Sequence, residues 1–212
     1  MVLTLQVLGL SILAYLLGSI PSAVWVGLRF YGKDVRDFGS GNAGATNTFR
    51  VLGKKAGTIV LAMDMLKGFI AASLVHVLKG VSPNTYQFVN LQLLFGLLAV
   101  IGHLFPVFAQ FKGGKGIATL FGMIIAIHYP SGLFCLGLFL IILFLTRYVS
   151  LGSILAAIAF PVGVVYVFNQ KEPLFIAFAI TAALLVIFTH QKNIKKLVKG
   201  TENKANLFRR NS

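Results

Sequence analysis

The chain has 212 residues, 57% of them hydrophobic, and its 19 basic and 5 acidic side chains give a formal net charge of +14. So few charges in so apolar a chain exclude an ordinary soluble domain and point to an integral membrane protein, with the basic excess at the edges of apolar segments rather than on a nucleic-acid face. The single cysteine, Cys135, excludes an internal disulfide, and four scattered histidines without HExxH spacing make no case for a metal centre.

The first apolar run, about residues 4–28, has no Lys or Arg ahead of it, and positive charge follows at Arg29, Lys33 and Arg36. That is the reverse of a cleaved signal peptide, so the run reads as a retained helix with its N-terminus outside. Residues 40–50, SGNAGATNTFR, come next. Gly39, Gly41 and Gly44 allow backbone with positive φ, where successive N–H groups form an anion-binding nest. A helix expected from about Ala45 to Leu52 would aim its N-terminus at the same anion, with Arg50 as a bidentate phosphate donor. A flexible Gly and Asn loop between helices is the competing reading of this stretch alone.

The second run, 56–78, holds Asp64 and Lys67 at i and i+3, where they can pair. Either alone would cost about 2.5 to 3.5 kcal/mol at a helix centre, so the pair is expected to brace the loops from behind rather than react. The third run, 88–110, ends in GHLFPVF. Pro106 is expected to kink this helix and free carbonyls, one of which His103 would hydrogen-bond. FKGGKG (111–116) then sets Lys112 and Lys115 around Gly113 and Gly114, a second candidate phosphate site. It is not a nucleotide P-loop, because Gly116 rather than Ser or Thr follows Lys115. A basic turn anchoring two helix ends is the alternative.

The stretch Ile117–Leu145 would make one helix of roughly 44 Å against a hydrocarbon core of about 30 Å, and HYPSG (128–132) interrupts it. Charge decides between one span and two. With two spans, and with the later runs 153–168 and 174–189, sixteen Lys and Arg face one side and two the other; with one span the split is nine and nine. The positive-inside rule selects an all-α polytopic membrane protein with seven transmembrane helices, N-terminus outside and C-terminus cytoplasmic. It sets the polar segments 31–55, 111–116, 146–153 and 190–204 on one cytoplasmic face of a single membrane domain, 1–212. In the tail, Lys192, Lys195, Lys196 and Lys199 recur at helical spacing beside Ile194, Leu197 and Val198, a pattern suited to an anionic lipid surface. An anchor does not account for His190, Asn193 and Glu202.

Taken in order, SGNAGATNTFR, GHLFPVFAQFKGGKG, RYVSLGS and HQKNIKKLVKGTE resemble the motifs of the bacterial acyl-phosphate:glycerol-3-phosphate acyltransferases, the PlsY family, over nearly the whole chain. The resemblance implies transfer of a fatty acyl group from acyl phosphate to the 1-hydroxyl of glycerol 3-phosphate, giving lysophosphatidate and phosphate in the bacterial cytoplasmic (inner) membrane. It implies catalytic roles for Ser40, Arg50, Lys112, His190 and Asn193, and substrate-binding roles for Asn42, Lys115, Ser150 and Glu202. Gly41, Gly44, Asn47, Gly113 and Gly114 complete the expected substrate-binding set. No histidine has Asp five positions later, so the HxxxxD base of other glycerophosphate acyltransferases is missing. An activated donor can do without it if charge neutralisation and positioning suffice. Expected partners are acyl phosphate, glycerol 3-phosphate, membrane lipid and, as a candidate, an enzyme that makes acyl phosphate; no cofactor, metal or nucleic acid is expected. A transporter for an anionic or phosphorylated solute is the runner-up, but Asp64 and Lys67 alone lie inside the spans and no strong repeat is visible.

Overall fold

A computed structural model describes residues 2–83 and 85–205, and within them the chain is all helical, without strands. Eight α-helices follow in order: α1 (Val2–Gly18), α2 (Ser22–Tyr31), α3 (Ala45–Ser73), α4 (Tyr86–Leu104), α5 (Ile117–Thr146), α6 (Val149–Val162), α7 (Pro173–Thr189) and α8 (Gln191–Val198). By length and composition four helices can cross a membrane, or up to six segments if each bent pair counts as one span. The chain divides into two compact units, Met1–Tyr129 and Pro130–Ser212.

In the first unit, α1 packs on α4, and α3 packs on α1, α2 and α4. One core gathers Ala14, Ala71, Val75, Phe88, Phe95 and Ala99; a second gathers Ala23, Val26, Val35, Ala56 and Val60. Small residues let backbones meet. A β-carbon on Gly68 would strike the Thr119 carbonyl and one on Gly122 the Met65 carbonyl, so α3 and the start of α5 touch main chain to main chain.

Proline and glycine set the breaks. The run 4–28 is not one helix: α1 and α2 are bent by 45° at Ser19–Pro21, because Pro21 cannot donate to a carbonyl one turn back. The expected helix from Ala45 to Leu52 is present, and α3 continues past it through a non-helical Gly53 (φ 86°, ψ −175°). Pro106 does not kink a helix, as α4 has already ended at Leu104. The freed carbonyls of His103 and Leu104 accept instead from the N–H groups of Gly114 (3.2 Å) and Gly113 (3.2 Å). Helix α5 is broken within HYPSG, at His128 (φ −150°, ψ 85°), two residues before Pro130. Gln92 Nε2 donates to the Ala126 carbonyl, one turn before that proline, at 3.2 Å.

In the second unit, α6 packs on α7, and α8 turns back by 62° to touch both. Phe160, Phe175 and Phe178 form its aromatic core, with ring centroids 6.0 to 6.2 Å apart.

Candidate functional site

Two polar clusters emerge, one in each unit. In the first unit the loop 34–44 is shaped by Asn47, which is 1% exposed. Its Nδ2 donates to the carbonyls of Val35 (2.7 Å) and Phe38 (3.1 Å), and its Oδ1 accepts from the Ser40 N–H (2.9 Å). The polar atoms of Asn47 thus turn onto the loop's own backbone, which makes it a brace of the loop. Gly39 (φ 63°) and Gly41 (φ 71°) take the left-handed turns; Gly44 is extended and caps α3, its carbonyl accepting from the N–H groups of Asn47 and Thr48. The first N–H groups of α3, at Ala45 and Thr46, lie at the end of the helix dipole that attracts anions. Ser40 and Arg50 are exposed on either side of this turn in sequence, and Asn42 is half-buried.

The segment 105–116 forms a strap over the end of α4. Gln110 (φ 55°) and Phe111 (φ 57°) are both left-handed, a conformation that disfavours residues with a β-carbon, and they bring the chain round so that Lys112 follows exposed. The Lys112 N–H donates to the Ala109 carbonyl, while Gly113 and Gly114 lie against the end of α4. A β-carbon on Gly113 would meet the carbonyls of His103 and Leu104; one on Gly114 would meet the His103 ring and the Ala43 carbonyl. Both positions therefore require glycine for close approach rather than for unusual φ. Lys115 is half-buried beyond them.

Loop and strap are joined by a residue that sequence reasoning counted only toward topology. The Arg36 guanidinium grips Asp34 through Nε (3.0 and 3.1 Å) and Nη2 (2.7 Å), and its Nη1 donates to the Ala109 carbonyl at 3.2 Å. The hydrogen bond from Arg36 holds the Asp34 carboxyl below its usual range against the opposing effect of burial, and the same bond raises Arg36. Two Gly-rich segments that lie about 70 residues apart in the chain are thus fixed side by side, with basic side chains around them. Beneath the strap, Asp64 pairs with Lys67 (2.9 Å), as the i, i+3 spacing predicts, and Lys67 Nζ also donates to the Ile20 carbonyl (3.0 Å). His103 faces this pair: its Nδ1 is 3.6 Å from Asp64 Oδ1.

In the second unit the cluster is centred on Glu202, which is 8% exposed. Its Oε1 accepts from Ser150 Oγ at the start of α6 (3.0 Å) and from Asn193 Nδ2 on α8 (2.8 Å). The Ala205 N–H, three residues on, donates to the Arg147 carbonyl at 2.7 Å. The segment after α8 is thereby strapped across the start of α6. His190 is the junction of α7 and α8 and is buried. Its Nδ1 is 2.8 Å from the Val186 carbonyl, a contact that requires the proton on Nδ1 and places the lone pair of the neutral ring on Nε2.

An integral membrane protein is thus defined whose first unit holds two joined, basic, Gly-rich loops suited to phosphate groups. The glycerol-3-phosphate acyltransferase family model matches residues 8–200. The glycerol-3-phosphate acyltransferase of Chlorobaculum tepidum is 44% identical, covering 98% of this chain and 100% of the relative. That of Enterococcus faecalis is 44% identical, covering 94% and 92%. Among solved structures, the chain resembles PlsY, an integral membrane glycerol 3-phosphate acyltransferase, in its glycerol 3-phosphate form: TM-score 0.80, 39% identity, 94% of this chain and 96% of that one. The lysophosphatidic acid form gives a TM-score of 0.77, again at 39% identity, with 93% and 94% covered. The chain belongs to the glycerol-3-phosphate acyltransferase family, in its PlsY branch.

Proposed function

We propose that the protein transfers a fatty acyl group from acyl phosphate to the 1-hydroxyl of glycerol 3-phosphate, releasing lysophosphatidate and inorganic phosphate on the cytoplasmic face of a bacterial inner membrane. The observation that supports this reading is the hydrogen bond from Arg36, on the first Gly-rich segment, to the Ala109 carbonyl just ahead of the second. Relatives solved with glycerol 3-phosphate and with lysophosphatidic acid support the acceptor and the product. The missing HxxxxD base favours an already activated donor.

Arg50, Lys112, Lys115 and the N–H groups of Ser40, Gly41, Gly113 and Gly114 neutralise the donor phosphate, with Asn42 as a further polar contact. His190 through Nε2 and Asn193 through its amide hold glycerol 3-phosphate. Glu202, Asn47 and Gly44 fix these groups in place. In the reaction the 1-hydroxyl oxygen attacks the acyl carbon, the bond from that carbon to the phosphate oxygen breaks, and the hydroxyl proton passes to the departing phosphate. No side chain is needed as base, so His190→Ala is expected to raise KM for glycerol 3-phosphate while kcat stays close to the parent; a collapse of kcat would restore a base role to His190.

The seven-span arrangement, N-terminus outside, belongs to the same proposal. It is tested by labelling single cysteines placed at Lys79, Lys171 and Lys199 in a Cys135→Ser background, with Lys199 alone expected to be cytoplasmic. The activity is tested by phosphate release from purified protein in lipid with palmitoyl phosphate and glycerol 3-phosphate, against palmitoyl-CoA. Release that needs both substrates, yields lysophosphatidate and is lost in Arg50→Ala bears the reading out. Turnover with palmitoyl-CoA instead, or none from folded protein, overturns it and directs attention to solute uptake in vesicles.

A further inference from the structure

Asp64 and Lys67 on α3 and His103 on α4 are buried at 2%, 5% and 6% exposure, outside the segments assigned to substrate. Replacing such a cluster with apolar side chains of the same volume commonly leaves a fold as stable or more so, so helix packing alone does not account for it. Its contacts lead out in two directions. Lys67 reaches the Ile20 carbonyl at the break before α2. His103 reaches the strap twice: its carbonyl accepts from the Gly114 N–H at 3.2 Å, and its ring lies where a β-carbon on Gly114 would fall. A cavity of about 10 Å³, room for one water, is bounded by Lys67, His103, Gly113, Gly114, Ser22 and Ala43. Cluster, strap and first loop thus meet in one place.

We propose that Asp64 is a positioning residue for the strap: through His103 it fixes the Gly113–Gly114 backbone from below, while Lys67 balances its charge and holds the break at Ile20. The chain of contacts runs from Asp64 Oδ1 to His103 Nδ1, across the ring to Gly114, and so to Lys112 and Lys115 on either side. The inference rests on the proposed role of those lysines at the donor phosphate. Without Asp64 the His103 ring loses the carboxylate that lies 3.6 Å from its Nδ1, and the strap loses that support from below.

The test uses the full chain in lipid as parent, Asp64→Asn, Asp64→Asn/Lys67→Met and His103→Leu. Asp64→Asn leaves Lys67 buried without its carboxylate, so thermal stability is expected to fall; the double variant removes both charges and is expected to regain it. In both, KM for palmitoyl phosphate is expected to rise by roughly tenfold or more, within the ~100-fold that an ångström of misplacement can cost, with a smaller change in kcat. His103→Leu, which keeps the ion pair, is expected to raise KM in the same way with a smaller loss of stability. Hydrogen exchange at the Gly113 and Gly114 amides is expected to quicken in all three variants. Recovery of KM together with stability in the double variant would overturn the proposal, as would parental exchange at both amides in His103→Leu. If the parent does not turn over palmitoyl phosphate, the proposed function fails, and the exchange measurement still decides whether Asp64 and His103 hold the strap.

Discussion

Asn47 is the sharpest place to test how the first loop is held, because its three side-chain hydrogen bonds all end on backbone groups of residues 35–40. Truncation in Asn47→Ala removes all three at a site 1% exposed. At about 0.5 to 1.5 kcal/mol net for each bond, the loss is roughly 1.5 to 4.5 kcal/mol, with the lower half expected because the Val35 and Phe38 carbonyls keep the N–H groups of Phe38 and Gly41 and Ser40 is exposed. Asn47→Asp separates donor from acceptor. The carboxylate can still accept from the Ser40 N–H, but at neutral pH it faces the Val35 and Phe38 carbonyls with no proton to give. Protonation at low pH restores one O–H donor, so the deficit is expected to shrink as pH falls. Thermal unfolding of the purified variants between pH 5 and 8, with limited proteolysis of residues 34–44, measures both effects. An Asn47→Ala protein within about 0.5 kcal/mol of the parent, or an Asn47→Asp deficit that ignores pH, would refute the bracing argument.

Glu202→Ala removes one oxygen that serves both Ser150 and Asn193 and is expected to cost about 2 to 3 kcal/mol, whereas Glu202→Gln keeps an accepting oxygen and should stay near the parent; unfolding midpoints of the two compare directly. Gly122→Ala drives a β-carbon into the Met65 carbonyl and is expected to cost about 1 to 3 kcal/mol in the same measurement. The lowered Asp34 pKa means that its grip on Arg36 is complete above the unfolded carboxylate value of about 3.9 and is lost as pH falls through the lower folded value. At this partly exposed pair the loss is at most about 1 kcal/mol, and it should appear as faster cleavage of the 34–44 loop at low pH and, at neutral pH, in Asp34→Asn. Gln110→Gly relieves a left-handed residue and is expected to stabilise the fold by about 0.5 to 1 kcal/mol, seen as a small rise in the unfolding midpoint.

What could be read from the sequence was whatever depends on neighbours in the chain. The start of α3 at Ala45 follows from a glycine cap before a helical run, and the Asp64–Lys67 pair from its i, i+3 spacing. The break in α5 was visible in HYPSG, though the structure sets it at His128. Contacts to distant backbone left no such mark. Arg36 donates to a carbonyl 73 residues away, and nothing in its local sequence distinguishes it from a residue placed by the positive-inside rule. Asn47 lies in a motif that suggests substrate contact, yet its partners are carbonyls and an N–H that sequence does not display. Pro106 signalled a disturbance in α4 correctly but not its outcome, since whether a proline bends a helix or follows its end depends on what takes up the freed carbonyls, here Gly113 and Gly114.

Polar residues inside the apolar runs also answer to breaks in neighbouring helices. An ionisable or amide side chain within a span is by default read as part of a transport route or active site. In the first unit, two of them instead meet breaks in the helices: Lys67 donates to Ile20, just before Pro21, and Gln92 to Ala126, one turn before Pro130. At each break a long donor from a neighbouring helix reaches a carbonyl: Lys67 joins the Ser22 N–H on that of Ile20, and Gln92 takes up that of Ala126, which Pro130 cannot serve. A proline in one apolar run and a lone donor in another are therefore complementary observations. Asp64 and His103 meet no such carbonyl through their side chains and instead face each other beneath the strap, Nδ1 of the ring 3.6 Å from Oδ1 of the carboxylate.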